Sequence, residues 1–111
     1  MAKVEYWQRG ESLDFANENS AKIEANSVIV IGDKIGVAGM DIAPRETGSI
    51  HITGVFRFPK TTVSEAIAVG TAVYFDGTGI VAASGSGTTA AGWVVAASGA
   101  SDTTVLVKIN D

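Results

Sequence analysis

The chain has 111 residues, 13 of them glycine, no cysteine, and a net charge of −4 from 12 acidic and 8 basic side chains. That is the length of one domain, able to bury roughly two thirds of its unfolded surface without metals or disulfides; the missing thiols exclude disulfide frameworks, zinc–thiolate sites and thiol catalysis, and fit a reducing cytoplasm. No basic concentration offers nucleic acid a footprint, no basic start followed by an apolar run reads as a signal peptide, and apolar runs of four or five residues fall far short of the ~20 that span a bilayer.

Residues 1–20 are the most polar stretch. Val4 and Tyr6, then Leu13 and Phe15, alternate with charged neighbours, which is the period of short edge strands. Trp7 beside Tyr6 puts aromatic surface on both faces of such a strand. Two readings stand: a strand that closes the sheet, or an arm that orders on a partner surface with Tyr6 and Trp7 as its anchors. Residues 21–111 read as a single β domain. A turn cluster at 17–20 leads to a weak strand at 21–26. The clearest hairpin follows, with apolar runs at 27–31 and 35–40 around Gly32-Asp33-Lys34. Runs so continuously apolar need cover on both faces, one from the domain core and the other from a second layer or another subunit. Residues 43–48 form an exposed loop.

The stretch 49–76 is the packing hub. Ile50, Ile52, Phe56 and Phe58 keep even spacing around Gly54, so the segment reads as one strand with a bulge or close backbone approach at the glycine, ended by Pro59. Thr62 and Glu65 have capping-box spacing and Gly70 suits a left-handed C-cap, which predicts a short helix near residues 62–69. Val73, Tyr74 and Phe75 resume the strand pattern, and Asp76-Gly77 turns the chain. Further strands are expected around 80–83 and 92–96, and at 104–109 with Val105, Val107 and Ile109 on one face. The fold class is therefore all-β, a mainly antiparallel small barrel or sandwich with one short helix.

Chemistry-bearing patterns are few. Residues 84–89 (SGSGTT) echo a phosphate loop, but no lysine precedes Thr88 and a strand, not a helix, follows. His51 is the only histidine and sits among Ser and Thr on a strand; an enzyme would need a pocket joining it to at least two acids. Asp14, Glu18 and Glu24 lack the sugar-stacking aromatics that would accompany paired glycosidase carboxylates. Asp41, Arg45 and Glu46 read as a solvated loop. No catalytic, cofactor or metal residue is assigned, and neither a small-molecule substrate nor a membrane is implied. Phe56, Arg57 and Phe58 suit a desolvated subunit contact, an Arg between alternate aromatics, with ordinary core packing as the competing reading of the two phenylalanines.

The order of motifs VIVIGDKIGVA, GSIHITGVFRFPK, AIAVGTAVYFD, GIVAASG, AAGWVVAA and TTVLVKIN resembles a family of small tailed-phage and prophage proteins, the head decoration or capsid cement proteins. The resemblance covers roughly residues 27–110. One departure is Asn26, where such proteins usually carry Gly; Asn tolerates the same left-handed geometry. The resemblance implies a compact β-barrel or β-sandwich with one short helix, no enzymatic activity, and homotrimers on the outside of the expanded capsid, bound to the major capsid protein and stabilising its lattice. The protein would be made in the host cytoplasm and end in the virion. A competing reading is another virion module that recognises sugars, for which an exposed Trp7 or Trp93 beside acidic side chains would speak.

Overall fold

The computed structural model describes residues 2–6 and 10–111, so Trp7 lies outside the described residues. Among the described residues nine strands follow in chain order: β1 (Ser12–Ala16), β2 (Val28–Ile31), β3 (Lys34–Ala38), β4 (Thr47–His51), β5 (Val55–Pro59), β6 (Ala72–Phe75), β7 (Ile80–Val81), β8 (Thr89–Ala96) and β9 (Thr104–Ile109). They form two antiparallel sheets, one ordered β1-β4-β3-β2 and the other β5-β9-β8-β6-β7. The all-β expectation is met. The barrel alternative is not, because neither sheet closes on itself. Nor is the short helix at 62–69.

The helix signals at 62–69 belong to two tight turns. Glu65 N–H donates to the Thr62 carbonyl at 3.2 Å, and Thr71 N–H to the Ala68 carbonyl at 3.3 Å, with Gly70 in the left-handed region at φ 86°. Between them Ile67 is 2% exposed and exchanges two backbone hydrogen bonds with Ser98, at 2.8 and 2.9 Å. Eight residues make a marginal helix by propensity alone. Burying Ile67 in an extended bridge wins.

The segment read as one strand through Gly54 is two strands in different sheets. β4 pairs with β1 and β3, whereas β5 pairs only with β9. Gly54, at φ 119°, lies in the crossing between them, and its carbonyl accepts from Ile109 N–H at 3.0 Å. The glycine thus marks a change of sheet, not a bulge within one.

The hairpin β2–β3 closes on the two-residue turn Gly32-Asp33, with Ile31 opposite Lys34. Asn26 adopts φ 71°, a left-handed geometry that an asparagine tolerates. Ile35, Gly36, Val37 and Ala38 are all buried, so β3 is covered on both faces as its sequence requires; on β2, Val30 stays 50% exposed.

Two apolar layers do the covering. Ile35 and Val37 enter the main core with Phe58, Ile67, Val73, Phe75, Ile80, Ala91, Val94, Val105, Val107 and Ile109 from the second sheet and its loops. The alternation of β9, with Val105, Val107 and Ile109 inward, supplies three of these, each worth about 1.5–3 kcal/mol when fully buried. On the other face of the first sheet Ala38, Ile42 and Ile50 form a second buried layer. Asn17, 1% exposed, pins the loops above it: its Nδ2 donates to the carbonyls of Ala21 at 2.9 Å and Ile42 at 3.0 Å. The overall form is a slab of 44 × 42 × 24 Å with a radius of gyration of 15.3 Å, against about 13 Å for a compact chain of this length.

Asn110, just past β9, ties the sheets together. Its Nδ2 donates to the carbonyls of Ile35 at 2.7 Å and Ile52 at 2.8 Å, and its Oδ1 accepts from Ile35 N–H at 3.2 Å. Asn110→Ala should cost about 2–3 kcal/mol, because it strands partly buried peptide groups; Asn110→Gly keeps the left-handed backbone (φ 59°) and should lose nearly as much stability in urea titration. Gly92, at φ 144°, packs against the β9 backbone, and a Cβ there would overlap the Lys108 carbonyl. Gly92→Ala is expected to cost more than about 4 kcal/mol, whereas Gly77→Ala, with nothing within 4 Å of the added carbon, should cost about 1–2 kcal/mol from its backbone angle alone.

Candidate functional site: a groove between two sheet edges

The residues singled out in β5 sit at the edge of the second sheet. Phe56 and Phe58 share the inward face, and Arg57 points out. Phe58 is 2% exposed and part of the core, while Phe56 is half-buried against it. The two phenylalanines therefore differ: Phe58 is floor, and Phe56 is wall. The ring of Phe56 lies 5.9 Å, centroid to centroid, from that of His51 across the sheet-to-sheet crossing.

Opposite β5 stands β2, the edge strand of the first sheet. Between the two edges runs a groove of about 280 Å³ lined by Asn26, Val28, Val37, Phe56, Arg57, Phe58 and Pro59. Its walls are mainly apolar, and Arg57 is its one charged lining residue among the described residues. A second groove of about 490 Å³ reaches Arg57 from the β9 side, and its lining includes Ser98, Ser101, Asp102, Thr103 and Thr104. The guanidinium thus stands between two surface grooves, at the rim position where an arginine suits a desolvating partner. Tyr6 is not near these residues as a packed side chain: it is 81% exposed, and Val4 95%. The structure brings Phe56, Arg57 and Phe58 together and leaves the 2–6 segment apart. The run Val28–Ile31 was legible as an apolar strand with one face on the core and the other toward a second layer or another subunit, but no local signal set Val28 opposite β5 in the groove.

The other candidates resolve into local structure. Thr88 Oγ1 accepts from Gly85 N–H at 2.9 Å and donates to its carbonyl at 2.8 Å, closing the 84–88 loop on itself, and β8 begins at Thr89. Trp93 is half-buried, its Nε1 donating to the Asp111 carboxylate at 3.4 Å, and the same oxygen takes Lys108 Nζ at 2.6 Å. This is not an exposed stacking platform beside a free acid. Among the described residues no group of three or more His, Asp or Glu side chains converges as a metal site.

The electrostatics are those of loop fastening. Asp76 receives the backbone N–H groups of Gly79 and Thr78, both at 2.9 Å, and the Thr61 hydroxyl at 2.8 Å. These donors stabilise the carboxylate and lower its pKa to about 2. Asp41 is lowered by the Ala25 N–H and by Lys22, and Asp111 by hydrogen bonds from Lys108 and Trp93.

Comparison with known proteins completes the picture. The sequence model of a family described as phage cement protein matches residues 7–109, nearly the whole chain. The chain belongs to the phage cement protein family. Membership gives it a structural role in association with the phage capsid, so a groove and two sheet edges are the features to weigh in this family member. No curated protein and no solved structure matches the chain.

A carboxylate with a depressed folded-state pKa contributes stability above its unfolded value and loses it on protonation. Stability supplied by Asp76 should therefore be complete above about pH 4 and fall away toward about 2. Asp76→Asn should flatten that part of the acid unfolding curve, followed by circular dichroism, and leave the neutral-pH slope unchanged.

Proposed function

We propose that this cement protein sits on the outside of the expanded phage head as a homotrimer, bridges neighbouring major capsid subunits, and stabilises their lattice. Membership of the cement family, over residues 7–109, carries the reading. The slab form supports it: a body 24 Å thick and 44 × 42 Å across offers broad contact for little height. The protein is made in the host cytoplasm and captured by the shell once expansion creates its binding surface.

The physics needs no reaction. A protein that binds the expanded lattice and not the immature one stabilises the former by mass action, about 2.7 kcal/mol per site at 100 times Kd. Subunits joined in a trimer bind multivalently, so modest contacts hold. Phe56 and Arg57, on the Phe58 floor, supply a subunit or shell contact, and Tyr6 and Trp7 supply aromatic anchors for a partner surface.

Purified protein mixed with expanded, empty shells of its own phage should co-sediment with them and raise their melting temperature. Failure to bind, or binding without a thermal shift, would overturn the lattice-stabilising role. Arg57→Glu should leave the folding stability of the free protein within about 0.5 kcal/mol of wild type, as an exposed substitution does, while weakening shell binding or self-association at least several-fold.

A further inference from the structure

The two sheets present four edges, and three are guarded. β1 carries Asp14, β5 carries Arg57 and ends in Pro59, and β7 is two residues long. Charges, prolines and brevity are the usual means of keeping an edge from pairing with another chain. β2 has none of them. It is Val-Ile-Val-Ile, four residues without charge or proline.

Its hydrogen-bonding groups are also aimed outward. The two-residue turn makes Ile31 and Lys34 a hydrogen-bonded pair, so by alternation the N–H and C=O of Val28 and Val30 point away from β3. Among the described residues no loop or strand bonds to them from the open side, and Val30 is 50% exposed.

The same chain carries a segment with strand spacing that belongs to no sheet. Residues 2–6 are wholly exposed, and none of the described residues pairs with them; in an extended conformation Val4 and Tyr6 fall on one face, Lys3 and Glu5 on the other. We propose that residues 2–6 of one copy add as an edge strand to β2 of a second copy. Val4 and Tyr6 then extend the apolar face of Val28 and Val30 beside the groove. Lys3 and Glu5 fall on the opposite face, where Glu24 and Lys22 lie in the groove beside β2; Lys3 then meets Glu24, and Glu5 approaches Lys22, which also pairs with Asp41 at 3.7 Å.

The geometry selects a second copy over the chain's own edge. Ser12, His51, Val37 and Val28 form one row across the first sheet, so a strand added outside β2 lies four spacings, about 19 Å, from Ser12. Six residues from Tyr6 to Ser12 reach at most about 20 Å when fully stretched. No slack is left to climb over the side chains of β4 and β3, whereas a neighbour faces no such tether.

This inference rests on the multi-copy part of the proposed function and not on attachment to the shell, and it is tested separately. The chain has no cysteine, so Tyr6→Cys and Val30→Cys chains can be prepared singly, checked for unchanged melting, mixed, and treated with a short bis-maleimide. The treatment is applied to the free protein at high concentration and to protein bound on shells. A covalent pair containing one chain of each kind, in clear excess over like-with-like pairs and lost when Val4→Asp is added to the Tyr6→Cys chain, is the expected result. The proposal is overturned if no mixed pair forms in either setting. It is equally overturned if Val30→Cys chains link chiefly to each other or to a shell subunit, or if a chain carrying both cysteines links within itself.

Discussion

One side chain decides how the two sheets sit. Asn110 follows β9 of the second sheet and uses both polar atoms of its side chain on the first sheet and the crossing between them, through three hydrogen bonds to Ile35 and Ile52. Apolar packing of Ile35 and Val37 against Val94 and Val107 supplies most of the cohesion, but such packing is non-directional. The amide adds direction. It fixes which end of β9 lies over β3 and so sets the separation of the β2 and β5 edges, on which the groove at Phe56 and Arg57 depends. Asn17 does the equivalent for the outer layer, holding the Ala21 and Ile42 carbonyls over the face of Ile50.

The surface that results suits a structural protein of the capsid. Its polar side chains are spent on holding loops, as with Asp76 on the turn at Thr78 and Gly79, or Lys60 on the carbonyls of Val63 and Gly99. What remains for a partner is shape and main chain: a groove, an open edge and an arginine at the rim. Binding of that kind gains specificity from backbone pairing and from alternate side chains filling pockets, and it requires no reactive group.

Much of this was legible in the sequence where the cause is local. The chain reversal around Gly32-Asp33-Lys34 follows from residues within a few positions of one another, as does the inward face of β9, although Lys34 proves to be the first residue of β3. The left-handed Asn26 was legible only through the family resemblance. The burial of β3 on both sides was readable from its unbroken apolar run. The errors lie where a distant partner overrides a local signal. Thr62, Glu65 and Gly70 are sound marks of chain reversal, and Gly70 does take the left-handed conformation; only the bridge between Ile67 and Ser98, more than thirty residues away, makes them turns and not a helix. Gly54 was recognisable as an interruption, but the strand that claims Val55–Pro59 is β9. Asn110 itself gave no signal, because its partner Ile35 is 75 positions distant. At the groove, the Phe-Arg-Phe pattern was visible in sequence, yet which phenylalanine is floor depends on the opposing β2.

The order of the second sheet carries a further consequence, for the route by which the domain folds. β9 lies between β5 and β8, so β5 gains its strand neighbour only when β9 pairs with it. Until that pairing the Val105, Val107 and Ile109 share of the core is missing, and the amide of Asn110 has not yet reached Ile35. Val55 finds Lys108 across most of the second half of the chain, and contacts this far apart in sequence form slowly. Insertion of β9 between its two neighbours therefore completes the core and the clamp in a single late step.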